Sequence, residues 1–444
     1  AHSTVRTMQT AIVWFTNDLR TDDQVALFQA LQLKIPVVGA YFFDERHFRL
    51  TPLGFRKTGA FRTQFLLETV QDLRQQLKNL GIPLLVRQGK PEQELPKLAE
   101  TLNAKYVLGS QEATSEELNT QKAVAQRLLT IHCELKLYWQ ATLIHIDDLP
   151  FKLQLLPDIF TEFRKSVERN SKTRNTVRPK AQQVVPFELP EGVELGNLPT
   201  LKDLGFEAVQ YDSRSVLAFR GGETAAKSRL EEYFWEKDLL KVYKETRNGL
   251  VGADYSCKFS AWLAVGAISP RRIYEEILRY ETQRTKNEST YWLFFELLWR
   301  DYFRFIAKKY QNRLFYADGL KGNYDLLGVK DDKNHFQKWV NGKTGQPFVD
   351  ANMIELLRTG FMSNRGRQNV ASYLVKDLKV NWRWGAAYFE SQLLDYDVCS
   401  NWGNWNYVAG VGNDPRENRY FNVAKQAQQY DPQGEYVKLW LNQV

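Results

Sequence analysis

The chain has 444 residues, 43% of them hydrophobic, with 60 Lys and Arg against 52 Asp and Glu for a net charge of +8. That hydrophobic content excludes general disorder, the length exceeds what a single core usually sustains, and no uninterrupted apolar run reaches the roughly 18 residues of a membrane helix. The modest basic excess favours a polyanionic partner without identifying it.

Cys133, Cys257 and Cys399 are widely spaced with no CxxC pair, and the five histidines are scattered. Neither a disulfide framework nor a metal site is indicated, and a reducing, cytoplasmic compartment fits. The start AHSTVRT before Met8 is too short and polar for a signal peptide. It is set outside the fold as basic, Ser/Thr-containing text compatible with an organelle-targeting remnant.

From 10 to 145 short apolar runs alternate with longer amphipathic ones. AIVWF, IPVVGAYFF, IPLLVRQ, AKYVLGS and ELKLYW read as strands, with helices at 22 to 33, 56 to 80, 92 to 102 and 114 to 131 between them. The alternation predicts an α/β domain over 8–145, a doubly wound, Rossmann-like parallel sheet. No GxGxxG follows the first strand, so the dinucleotide fingerprint is absent. Residues 146–205 are rich in Pro, Gln and charge, with VRPKAQQVVPFELPEGVELGNLPT lacking an apolar period, and read as a long interdomain linker. Over 206–444 helical spacing takes over and strand signals nearly vanish, predicting an all-helical domain. Loops are expected at GGET, GLVGADYS, the DGLKGNYDLLG run and NDPRENR.

Three stretches of the helical domain carry chemistry. ETRNGLVGADYSCKFSAWLAVGAISPRR, at 245 to 272, places hydroxyl and backbone donors before a helix starting near Phe259, which suits a phosphate and equally suits a plain N-capped helix. In YWLFFELLWRDYFRFIAKKY, Glu296, Trp299, Arg300 and Phe303 share one helix face. SQLLDYDVCSNWGNWNY at 391 to 407 sets Asp395 and Asp397 among apolar neighbours, and TGFMSNRGRQNVASYL at 359 to 374 supplies Arg365, Arg367 and Asn364. Carboxylates so placed need donors. Carboxylate, guanidinium, amide and indole suit a planar, hydrogen-bonding, redox-active ring, and a buried ion-pair network fits the same residues equally well.

FMSNRGRQNVASYLVKDL, NWRWGAAYFESQLLDYDVCSNWGNWNYVAG and YFNVAKQAQQYDPQG closely resemble the flavin-binding domain of the photolyase and cryptochrome family, in its cryptochrome DASH branch. The resemblance runs nearly unbroken from the DLR at 18 to 20 through Tyr436. It implies FAD as cofactor, with Tyr255, Ser256, Cys257, Lys258, Phe259 and Ser260 in the segment that holds the pyrophosphate. It further implies that Glu296 hydrogen-bonds a pyrimidine dimer, that Trp299 stacks on it, and that Arg300 belongs to the cofactor-binding set. Asn364 would contact adenine or the dimer, Arg367 and Asp395 would pair beneath the isoalloxazine, Asp397 would accept from the ring edge and Asn401 would face N5. Trp405 and Trp382 would be the inner and middle members of an electron-transfer chain. Glu112, in GSQEATSEE, would contact a pterin antenna (methenyltetrahydrofolate), although glutamates commonly open helices for the sake of the helix dipole.

Four departures from the family pattern stand out. Cys257 replaces the usual serine, and the outermost tryptophan falls at Val329 if the spacing back from Trp339 is preserved, which would pass the role to Tyr324 or end the chain early. Gln368 and Tyr407 stand where double-strand repair enzymes place methionine and tryptophan, which weakens the wedge that flips a dimer from a duplex. The sequence given ends at Val444 soon after YDPQGEYVKLWL, where family members continue, so less complete closure of the helical domain is expected. The implied function is blue-light repair of cyclobutane pyrimidine dimers in single-stranded DNA, with DNA as partner, a monomeric chain, no membrane and no metal. The alternatives are a light-sensing, DNA-binding regulator and a flavin-dependent electron carrier without DNA.

Overall fold

A computed structural model describes residues 8–322, 329–413 and 420–442. Its five strands, β1 (Thr10–Trp14), β2 (Val37–Phe43), β3 (Leu84–Gln88), β4 (Ala104–Ser110) and β5 (Glu134–Tyr138), form one parallel sheet in the order β3-β2-β1-β4-β5. Four helices cross between them: α1 (Val25–Gln32), α2 (Ala60–Leu80), α3 (Pro91–Thr101) and α4 (Ser115–Leu129). All of β1 is buried because helices cover both faces of the sheet, which is why it reads as an uninterrupted apolar run. The strand order reverses at β1, so the crevice beyond the carboxyl ends of β1 and β4 is where such a sheet takes a ligand.

The connection from 146 to 205 differs from the expected featureless linker. It contains α5 (Phe160–Asn170), whose Phe160, Phe163 and Val167 are buried in the core of the helical domain. The chain then returns along β3, where Val86 N donates to Leu195 O at 2.8 Å and Arg74 donates to Gly196 O at 2.7 Å. Covering the sheet edge in this way needs backbone contact rather than an apolar period. Gly196 permits it: φ is 82°, and a Cβ there would lie 2.1 Å from Val86 O.

The remainder is helical: α6 (Glu223–Glu231), α7 (Tyr243–Thr246), α8 (Ser260–Ala264), α9 (Pro270–Gln283), α10 (Glu288–Tyr310), α11 (Lys333–Val340), α12 (Pro347–Thr359), α13 (Asn364–Ser372), α14 (Trp382–Gln392), α15 (Val398–Val408), α16 (Val423–Tyr430) and α17 (Glu435–Leu441). Parts of the predicted DGLKGNYDLLG and NDPRENR loops, with Tyr324, lie outside the described residues. The domains meet through Gly59 N to Ser391 O at 2.7 Å, the Arg272–Asp22 pair at 2.7 Å, and buried Asp301 of α10, which accepts from Leu143 N and Ile144 N at 2.8 Å each. Among the described residues no helix is long and apolar enough to cross a membrane.

Candidate functional site

The segment 253–260 is shaped by Arg229, a buried residue of α6. Its guanidinium donates to Cys257 O at 3.0 Å, Ala253 O at 2.7 Å and Ser256 O at 2.9 Å. With three carbonyls held on one side, the loop's amides and hydroxyls are left for the other. Lys258, with φ 58° and 4% exposed, donates from Nζ to Ser256 Oγ at 3.0 Å and lies 3.2 Å from the Tyr255 ring centroid. Burial, with the nearby charge of Arg229, lowers its ammonium to about 7. The helix expected to begin near Phe259 is α8, only five residues long, so its dipole contributes little. The side chains of this loop that could meet an anion are Lys258 and Ser256. The Phe259 ring packs inward on Phe234, 6.0 Å between centroids, so only its backbone can serve a phosphate. Burial raises the Cys257 thiol, and Ser260 is exposed.

Arg367 of α13 meets Asp395 in a two-point pair, Nη1 to Oδ1 at 2.9 Å and Nη2 to Oδ2 at 2.8 Å, while its Nε donates to Met362 O at 2.8 Å. The rest of this wall is not satisfied from within. Tyr255 Oη, Glu355 Oε2, Arg247 Nε, Arg365 Nε and Gln368 Oε1 are buried without a hydrogen-bond partner. Glu355 of α12 is fully buried, accepts at Oε1 from Tyr436 Oη at 2.7 Å, and is pushed by burial up to about 8. Each unsatisfied buried polar atom costs about 1 to 3 kcal/mol, and native cores hold few of them. Their gathering beside an ammonium and an ion pair fits a ligand rich in donors and acceptors, as a flavin dinucleotide is. Asn364 stands exposed at the rim, and Asn401 is tied to α14 by Nδ2 to Ala386 O at 3.1 Å.

Two residues expected at the flavin turn elsewhere. Asp397 caps α15 by accepting from Cys399 N at 3.0 Å and pairs with Arg304 at 2.6 Å. Burial works to raise its carboxyl, but Arg304 and Arg300 outweigh it and hold the group below its ordinary value. Arg300 donates to Ala141 O at 2.6 Å. Both side chains line a cavity of about 470 Å³ between the domains, at the crevice beyond β1 and β4, together with Glu112, Tyr396 and Trp402. Glu112 accepts from Thr16 Oγ1 at 3.2 Å and is pushed up to about 8 by burial, aided by Glu117.

At the rim, Glu296 accepts from Trp292 Nε1 at 3.1 Å, with Arg247 Nη1 3.9 Å away. Burial raises its carboxyl, opposed by Arg247 and Trp292. Trp299, expected as a base platform, is half-buried: Phe160 stacks on it at 3.7 Å and 13°, and Phe303 lies 5.6 Å away at 29°. Tyr407 meets Trp299 edge-on at 6.2 Å. Trp405 packs on Gly385, where a Cβ would lie 2.3 Å from its ring, and this sets it one turn of α14 from Trp382. Ring contacts join Trp405 to Phe389 and Trp339, and Trp382 to Trp402.

Sequence reasoning missed Arg229, Arg247, Glu355, Arg304 and Tyr436. Glu355 carried a usable signal, since it interrupts the apolar face of DANMIELL as Asp395 interrupts its own stretch. Arg229 and Arg304 carried none, because their partners are backbone atoms or residues far along the chain.

Residues 11–184 match the family profile described as DNA photolyase, and residues 292–444 match the FAD binding domain of DNA photolyase. Cryptochrome DASH of Gloeobacter violaceus is 54% identical over 436 residues, spanning 98% of this chain and 86% of that one. The crystal structure of a Synechocystis sp. cryptochrome matches with a TM-score of 0.93 at 51% identity, covering 98% of this chain and 88% of the other. A bacterial class III photolyase from Agrobacterium tumefaciens matches at a TM-score of 0.82 and 25% identity, covering 99% and 88%. With both family profiles, half-identical relatives and the pocket of unsatisfied donors and acceptors in agreement, the chain belongs to the photolyase and cryptochrome family, in its cryptochrome DASH branch, and carries that family's FAD-binding helical domain.

Proposed function

We propose that the chain holds FAD between α8, α12, α13 and α15 and, under blue light, splits cyclobutane pyrimidine dimers in single-stranded DNA by electron transfer. Bound flavin supplies light absorption and the electron; the chain supplies position, dryness and hydrogen bonds. Lys258 and Ser256 would meet the phosphates, the Arg367–Asp395 pair and Asn401 the ring, and Asn364 and Gln368 the open side. The observation that carries the repair reading is Glu296, a part-exposed carboxylate whose proton affinity burial raises, fixed by Trp292 at the mouth of this wall. Held there, it can accept from a base edge or share its proton with a base carbonyl. Lys244 and Arg247, 5.0 and 4.9 Å from the Trp292 ring, give the rim the cations a phosphate backbone needs. Phe160, stacked on Trp299, takes up aromatic surface that a wedge into a duplex would use, which supports the single-stranded preference.

The test is blue-light irradiation of the reduced holoprotein with a dimer-containing oligonucleotide, single-stranded or in duplex, scored by chromatography. Repair of the single strand that is lost in Glu296→Ala supports the proposal. Intact dimers in the single strand would sink it. A second reading, a light-dependent DNA-binding regulator, draws on the Phe160 ring stacked on Trp299, which leaves a flipped dimer less of that indole to stack on. It predicts DNA affinity that changes with light while dimers persist. The interdomain cavity, with Glu112 on its wall, is proposed as the seat of a pterin antenna such as methenyltetrahydrofolate, to be read as a near-ultraviolet band beyond that of flavin.

A further inference from the structure

We propose that Trp402 and Tyr396 form the outer end of the electron path that begins at Trp405 and Trp382, and that this path leaves the protein through the interdomain cavity. The inference rests on the reading that flavin lies against Asn401. The position where an outer tryptophan was expected is Val329, an aliphatic side chain that cannot be oxidised under these conditions. Trp382, fully packed, needs another neighbour if a charge is to move outward, and its ring partner is Trp402, 5.8 Å away between centroids at 72°. Trp402 donates from Nε1 to Tyr396 Oη at 3.3 Å, and both rings line the cavity.

The alternative branch reaches its next tryptophan, the part-exposed Trp384, only across Phe336, 5.5 Å from it. Trp405 also touches Trp339 at 6.2 Å, and Trp339 leads to Phe336 at 5.9 Å and Tyr388 at 5.8 Å. Phenylalanine is not a practicable electron donor. A tyrosine gives up an electron only if its phenolic proton can leave, and Tyr388 Oη is buried without a partner. Tyr396 opens on a cavity whose walls include Glu117 and Glu390. The Arg62 guanidinium, 4.6 Å over the Tyr396 ring, disfavours a positive charge and so favours proton release on oxidation.

The bookkeeping closes in single electrons. Trp405 would give one electron to photoexcited oxidised FAD and take one from Trp382, which takes one from Trp402. Tyr396 then returns an electron to Trp402 and passes its phenolic proton to the cavity, leaving a neutral tyrosyl radical. A soluble thiol restores the phenol by giving up one hydrogen atom, and two thiyl radicals combine as a disulfide.

The experiment uses the holoprotein with oxidised FAD, its flavin content measured by absorbance, under blue light with a soluble thiol. Trp402→Phe is expected to lower the yield of lasting photoreduction about tenfold, and Trp402→Tyr to restore most of it. Tyr396→Phe should abolish the tyrosyl signal in electron paramagnetic resonance, identified by ring-deuterated tyrosine, and leave a tryptophanyl signal. Unchanged photoreduction in Trp402→Phe, or a loss seen instead in Trp339→Phe and Tyr388→Phe, overturns the path. A wild-type protein that cannot be loaded with FAD overturns the reading beneath it, and the absorbance separates that failure from the first.

Discussion

Around the interdomain cavity the charges meet one another: Asp397 with Arg304 at 2.6 Å, Glu390 with Lys57 at 2.8 Å, and Arg46 with both Asp44 and Glu92. In the wall built by α12, α13 and the loop before α8 they do not, and beyond the Arg367–Asp395 pair six buried polar atoms lack partners among the described residues. Both regions are polar, one between the domains and the other within the helical domain. The first is nearly self-sufficient, so a ligand there adds to a structure already balanced. The second lacks that internal balance, so its ligand completes the fold as well as the chemistry.

Removing an arginine from each region separates the two. Arg304→Met leaves Asp397 buried and uncompensated, which should cost about 3 kcal/mol in urea denaturation while flavin content holds. Arg367→Met should cost somewhat less, about 2 kcal/mol, since Arg367 is the more exposed of the two, and should empty the protein of flavin. Flavin retained in Arg367→Met would erase the distinction.

The pH dependence of the flavin-free protein sharpens it. Glu355 is pushed from its ordinary 4.5 up to about 8, so between those values the folded chain binds a proton that the unfolded chain has released. Stability therefore falls as pH rises through that window. Lys258, lowered to about 7, acts in the opposite sense only at higher pH, so between 5 and 7 the decline comes from the raised carboxyls of Glu355, Glu112 and Asp301 together. Glu355→Gln should lessen the decline in urea midpoint between pH 5 and pH 7, and an unaltered slope would assign the proton elsewhere.

Smaller effects follow at single atoms. Tyr255→Phe removes a hydroxyl with no protein partner, so stability should stay within about 0.5 kcal/mol while flavin affinity falls up to about tenfold, read by equilibrium titration. Glu112→Gln should change flavin content least of all. Its expected signature is a slight gain in stability near pH 8, where the wild-type carboxyl, pushed up to about 8, is partly ionised in a buried place.

How far the site could be read beforehand follows from the kind of signal each residue carries. Asp395 and Arg367 were legible because a carboxylate in an apolar stretch demands a donor, and a nearby arginine was the obvious one. Asp397 and Arg300 obey the same rule but face the cavity, since helical spacing assigns a side chain to a face and not to one of two pockets flanking it. Trp299 was rightly placed on an aromatic face, yet the ring that covers it, Phe160, comes from the stretch taken for a linker. Within that stretch Phe160, Phe163 and Val167 do follow a helical period, but only over the short α5, while the segment that returns along β3 is held by backbone hydrogen bonds that leave no periodic trace.

The sequence alone determined the parallel sheet, the helical second domain, the branch of the family and the residue types a flavin requires, because periodicity and the cost of burying charge act over a few residues. Tertiary structure alone decided which pocket each charged group faces and which rings pack together. Those outcomes depend on contacts such as Arg304 with Asp397 and Trp299 with Phe160, made between segments more than ninety residues apart, which no local pattern encodes.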